Sequence, residues 1–177
     1  MITLVLISGL TGISYHRLIA PFSRLVEMGL EGICFIPSLD NLKSMDLDKI
    51  DNLVVSRFLL LNNHDAFKEM LVKHNIKLIL DNDDYWELNE DNQSLEAYDK
   101  FYTPNIKKTI EMSDVIWTPS KLLSVEMKKI NPNAVIEFVN NGIRDDESQW
   151  FNQKKKQNNK LSYGYLGAGG HINDIKL

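Results

Sequence analysis

The sequence predicts an α/β protein built on a doubly wound parallel sheet of Rossmann-like type, and three observations predict it. Short apolar, β-branched runs alternate with longer stretches whose apolar residues recur at helical spacing. The runs are closed by strand-ending residues: Ser8-Gly9, Pro37 and Asp81-Asn82. The 177 residues, 44% hydrophobic and 25% charged, have an ordinary globular composition and length enough to bury about 70% of the unfolded surface.

Taken in order, Ile2 to Ile7 is a near-continuous apolar run, as a strand buried on both faces requires. From Tyr15 to Met28, Leu18, Ile19, Phe22, Leu25, Val26 and Met28 fall at helical spacing, and Gly29 supplies the stop. Ile33 to Ile36 is the second strand and Leu53 to Val55 the third. Asn63 caps a helix that carries Ala66, Phe67, Met70, Leu71 and Val72 to about His74. Ile76 to Leu80 is the fourth strand, running straight into Asp81-Asn82-Asp83-Asp84. Leu95 to Met112 is helical, with Pro104 kinking or interrupting it. Val115 to Trp117 is the fifth strand, Ser120 caps a helix through Lys129, and Ala134 to Val139 is the sixth strand.

This pattern assigns residues 1–143 to one Rossmann-like domain. Residues 144–160, polar and rich in Gln, Asn and Lys, read as a linker, and 161–177 as the first strand and helix start of a further domain. Such a segment must pack its apolar faces on the first domain or on another chain, so a homodimer through 161–177 is one expectation.

Twenty basic against twenty-four acidic side chains give a formal charge of −4, which argues against a general nucleic-acid binder. Eight acids and no Lys or Arg lie between Asp81 and Asp99. The lone Cys34, inside Gly-Ile-Cys-Phe-Ile, is expected as a buried thiol in a reducing cytoplasm. The N-terminus is too short and lacks the basic leader of a signal peptide, and no apolar run reaches the roughly 18 residues that span a bilayer. The expectation is a cytoplasmic protein, with peripheral contact at the inner membrane face left open.

In a doubly wound sheet, ligands bind beyond the carboxyl ends of the strands, so the loops after each strand carry the candidate residues. Gly9 and Gly12 let backbone approach a ligand, Ser14 can cap the following helix, and Arg17 is a candidate anion ligand; Tyr15 and His16 lie between them. The spacing is neither Gly-x-Gly-x-x-Gly nor a P-loop. Asp81, Asp83 and Asp84 crowd negative charge, and three readings compete: a metal site, a hydrogen-bonding site for sugar hydroxyls, or a solvated acidic turn. Arg57, just after the third strand, either serves a ligand or pairs with those acids. His64 and His74 lie near helix ends and read as surface residues. A phosphatase reading would make Asp81 a nucleophile, but such motifs follow a first strand and this one follows the fourth. Gly167, Gly169 and His171 fall between a strand and a helix start, where backbone N–H groups suit a donor phosphate.

In order and spacing, several segments resemble the GT-B glycosyltransferases, specifically glycosyltransferase family 4 (the group 1 transferases). They are Gly12-Ile-Ser-Tyr-His-Arg17-Leu with Pro21, Val54-Val-Ser-Arg57, Leu78-Ile-Leu-Asp81-Asn-Asp83-Asp84 and Ser113-Asp114-Val-Ile-Trp-Thr118-Pro-Ser120. Asn131-Pro-Asn133, Val139-Asn-Asn141-Gly142-Ile143, Tyr163-Gly-Tyr-Leu-Gly167 and His171-x-x-Asp174 complete the set. The resemblance implies two Rossmann-like domains, the first handling a glycan or lipid-linked acceptor and the second a nucleotide-sugar donor. It implies sugar transfer with retention and no obligatory metal or cofactor, as in polysaccharide biosynthesis. Gly9, Gly12, Tyr15, His16, Arg17, Arg57, Asp81, Asp83 and Asp84 would line the cleft, and Gly167, Gly169 and His171 would match the first donor-phosphate loop. The Glu-containing donor motif of the family would lie past Leu177, so the 177 residues correspond to the acceptor half and the first strand of the donor half. The alternative is a non-catalytic Rossmann-like binding module with a carboxylate-lined ligand or metal site.

Overall fold

The computed structural model describes residues 1–7, 9 and 11–142. Within them lies a six-stranded, all-parallel sheet: β1 (Thr3–Leu6), β2 (Ile33–Ile36), β3 (Asn52–Ser56), β4 (Lys77–Asp81), β5 (Val115–Thr118) and β6 (Val135–Phe138), in the order β2-β1-β3-β4-β5-β6. Helices lie on both faces, as the doubly wound Rossmann-like class requires. Residues 144–160 and 161–177, read from sequence as linker and second-domain segment, lie outside the described residues.

The two faces follow from the two-residue period of a strand. Val5 and Val54 turn one way and pack with Leu18 and Phe22, and the ring of Phe22 stacks on Trp117 with centroids 6.1 Å apart. The alternate residues Leu4, Leu53, Leu78, Leu80 and Ile116 turn the other way. They meet Leu71, Ile106, Ile110, Leu123 and Met127 from α3 (His64–Lys73), α5 (Thr103–Met112) and α6 (Lys121–Ile130). Burial on both faces explains why the central strands read as unbroken apolar runs rather than alternating ones.

Two helical runs carry an irregularity of the same kind. The first run is α1 (Gly12–Ser14), a π-helical turn Tyr15–Ile19 and α2 (Ala20–Glu27); the second is α4 (Leu95–Ala97), a π turn Tyr98–Tyr102 and α5. In each, the residue after the π turn donates five residues back, Ala20 to Tyr15 and Thr103 to Tyr98. A proline follows directly, Pro21 or Pro104. Its ring would clash with the carbonyl four residues earlier in a regular helix, and the wider turn makes room. The interruption expected at Pro104 therefore takes the form of a π turn, without a break.

Two local expectations change. Cys34 is exposed, because β2 is an edge strand paired only with β1 and its central residues remain open to solvent. The cap of the first helical run is Thr11, whose side chain accepts from the Ser14 N–H at 3.1 Å; Ser14 itself lies buried inside the run. The stop at Gly29 holds, with φ +88°, and Gly32 also has positive φ in a place where a Cβ would collide with the carbonyl oxygen of Met1. Among the described residues, no helix is long and apolar enough to cross a membrane.

Candidate ligand cleft at the carboxyl edge of the sheet

Strands β1 and β3 are neighbours while β2 and β4 lie outside them, so the strand order reverses between β1 and β3. At such a switch point the following loops diverge and open a crevice. A cleft of about 760 Å³ occupies this position. Gly9, Thr11 and Ser14 line it from the loop after β1, Ser38 and Asp40 from that after β2, and Arg57 to Asn62 from that after β3. Tyr102, from the second π turn, lines it as well.

Arg57 is held in the left-handed region at φ 61°, an unfavourable place for a side chain of this size. Its N–H donates to the Asp81 carbonyl at 2.7 Å and the next N–H, of Phe58, donates to Ser56 at 2.7 Å, which fixes the sharp departure from β3. The guanidinium pairs with Asp83, Nε to Oδ1 at 3.5 Å, and with Asp84 through a terminal nitrogen. The loop beyond is anchored by Thr109: its buried hydroxyl accepts from the Leu59 N–H at 2.9 Å and donates to the Asn105 carbonyl at 2.7 Å. We expect Arg57→Asn to leave stability within about 1 kcal/mol of the parent. Asn suits the left-handed region, and that relief of about 1 kcal/mol offsets a partly exposed ion pair of about 0–1 kcal/mol. A urea titration checks this, and a loss above about 2 kcal/mol would show that the pair holds the loop.

Arg17 departs from its expected part. Its side chain is only 4% exposed and that of Asp81 only 2%, and the two form a two-pronged pair: Nε to Oδ2 at 2.8 Å and Nη2 to Oδ1 at 2.5 Å. Nη1 donates to Asn141 Oδ1 at 2.5 Å and lies 3.5 Å from the Val139 carbonyl. Arg17 is thus consumed inside the protein, joining the first helical run to β4 and to the segment after β6. Both oxygens of Asp81 are taken, so neither is poised as a nucleophile and the phosphatase reading loses its central residue. Burial pushes the Asp81 carboxyl up, with Asp83 adding to the rise, against the hydrogen bond and charge of Arg17. Burial by itself would lower Arg17, but the Asp81 hydrogen bond and charge outweigh it and hold the guanidinium above its ordinary value.

The remaining candidates fall around this core. Tyr15 and His16 sit on the first π turn with their rings edge to face at 5.1 Å, outside the cleft lining. Gly12 starts α1 with open space where a Cβ would stand. His64 lies 3.3 Å from the Leu59 carbonyl, and His74 meets Asp48 at 2.6 Å at the end of α3. Gly167, Gly169 and His171 lie outside the described residues. Among the described residues, no three His, Cys, Asp or Glu side chains are grouped to hold a metal; the three acids after β4 face arginines.

Sequence reasoning missed the apolar part of the cleft, Phe58 to Leu61 and Tyr102. Phe58-Leu-Leu-Leu directly after Arg57 was the available signal: four apolar residues where a strand has already ended.

The site therefore belongs to a doubly wound α/β domain with a switch-point cleft of mixed polar and apolar lining and a buried Arg–Asp pair beside it. Neither the family models nor the curated proteins compared with the chain match it.

Proposed function

We propose that this chain provides the acceptor-side domain of a GT-B glycosyltransferase, similar to family 4, which transfers a sugar from a nucleotide-sugar donor to a glycan or lipid-linked acceptor. The observation that carries the reading is the chemistry of the switch-point cleft. Its polar lining is mainly hydroxyl and amide, from Thr11, Ser14, Ser38, Ser56 and Asn62, with one charge of each sign from Asp40 and Arg57, and such a lining hydrogen-bonds a neutral polyol. Beside it, three carboxylates face two guanidiniums, leaving one net negative charge. A diphosphate would be repelled there and a sugar hydroxyl would not. On this reading the donor is held by a second domain.

The test uses the 177-residue chain with a set of nucleotide sugars and oligosaccharide acceptors. We expect saccharide binding, no nucleotide-sugar binding at the cleft, and no transfer by these residues alone. Turnover of a nucleotide sugar by the chain, or a nucleotide seated between the β1 and β3 loops, would overturn the assignment. The metal-holding alternative would need Asp81, Asp83 and Asp84, which face Arg17 and Arg57.

A further inference from the structure

Among the described residues, Tyr102 is the one aromatic side chain with a hydroxyl in the cleft lining; it stands at the N-cap of α5 but makes no side-chain capping bond. It ends the π turn Tyr98–Tyr102, the kind of helical irregularity that recurs at functional sites. Its ring is braced on two sides, edge-on by Phe58 at 5.4 Å and by Tyr98 at 5.1 Å, yet the residue stays 37% exposed. A ring fixed by its neighbours and open towards a cleft loses little freedom when something packs on it. The same lining offers the Asp40 carboxylate, an acceptor, and the Asn62 amide, both donor and acceptor. Asp40 holds Lys43 through Oδ1 at 2.6 Å, and both side chains lie in solvent.

We infer that Tyr102 is the stacking platform of an acceptor subsite that takes a neutral pyranose ring, with Asp40 and Asn62 bonding hydroxyls at its rim. This rests on the acceptor reading and sharpens it to a residue and a charge class. A pyranose carries C–H groups on its faces and hydroxyls around its edge, which matches an aromatic surface beside hydrogen-bonding side chains. The ring is neutral rather than acidic or phosphorylated because the one lining cation among the described residues, Arg57, already faces two carboxylates, Asp83 and Asp84. An anionic sugar would meet their surplus negative charge.

The experiment titrates the 177-residue chain by ligand-observed NMR. The neutral probes are the methyl pyranosides of glucose, galactose and N-acetylglucosamine; the anionic ones are glucose 6-phosphate and methyl glucuronide. We expect at least one neutral probe to bind with a Kd on the order of millimolar, and the anionic probes to bind at least about tenfold more weakly. Tyr102→Ala should weaken the neutral probe about fivefold, Tyr102→Phe should retain it, and Asn62→Ala, at an exposed position, should weaken it without altering the thermal melt. Neutral binding unchanged by Tyr102→Ala, or anionic probes binding as well as neutral ones, overturns the subsite and leaves the acceptor reading standing. Absence of binding by every probe removes the acceptor reading, and the subsite with it.

Discussion

Arg17→Met should destabilise the domain by about 3–5 kcal/mol at neutral pH, because it leaves the Asp81 carboxylate buried without its counter-charge. Asp81→Leu should cost a similar amount by stranding the guanidinium. The double variant Arg17→Met/Asp81→Leu should be more stable than either single, since removing both charges also removes the desolvation penalty. Urea titrations of the four proteins give the coupling directly, and simple additivity of the two single losses would sink the account.

The pH dependence of Arg17→Met has a definite sign. Burial and Asp83 already raise Asp81, and Arg17 is what pulls it down. Without Arg17 the folded-state value rises further above the unfolded one, so the folded state binds the proton more tightly. Stability linked to this group is fully present below the unfolded carboxylate value of about 3.9. It is lost as pH climbs through the raised folded value. The deficit of Arg17→Met against the parent should therefore be smallest near pH 4 and widen towards pH 7. A deficit that is constant over that range would mean the arginine acts through packing alone. By the same sign, titration of Asp81 in the parent does not promote acid unfolding.

Asn131→Ala is expected to cost about 2–4 kcal/mol. The residue is 8% exposed, and its amide nitrogen lies within hydrogen-bond distance of three carbonyls at the end of α5. These belong to Ile110 at 2.9 Å, Glu111 at 3.1 Å and Ser113 at 2.9 Å. Its oxygen accepts from the N–H groups of Asn133 at 3.2 Å and Ala134 at 3.1 Å, shaping the turn into β6. One side chain thus closes the end of one helix and starts a strand, and alanine leaves buried groups on both sides unpaired. Asn131→Asp keeps the acceptor but sets a charge against the three carbonyls, so thermal melts at pH 7 should place it no higher than the alanine variant. If both variants melt as the parent does, water replaces the amide at no cost and the hub has no energetic weight.

The segment Asn131-Pro-Asn133, one of those that carry the family resemblance, therefore has a sufficient structural reason to be what it is. The segment around Arg17 and Asp81 is similar, its two charged residues being bound to each other. The functional weight shifts to residues that line the cleft: Arg57, held in strained backbone, and Tyr102, which the sequence did not single out. Tyr102 was illegible because nothing local distinguishes a tyrosine on a solvated helix from one that a π turn aims at a cleft. The proline two residues further on, Pro104, is the visible trace of that turn, as Pro21 is for the first.

What the sequence determined by itself is local. Apolar periodicity, asparagine and serine caps, and glycine stops depend on neighbours within a turn or two, so the six strands and three of the four main helical runs could be read to within a residue or two of their observed ends, while the first run starts at Gly12, three residues before the Tyr15 expected. Parallel pairing followed, because strands separated by helices have no other short connection. Only the tertiary structure decided where charge goes. Arg17 and Asp81 are 64 residues apart and meet because β1 and β4 lie on either side of β3, which brings the first helical run over β4. Likewise, the exposure of Cys34 depends on β2 being an edge, a property of strand order and not of the strand. Burial then sets the outcome: a guanidinium removed from water holds the carboxylate that shares its pocket, and of the two arginines only Arg57 is left to line the cleft.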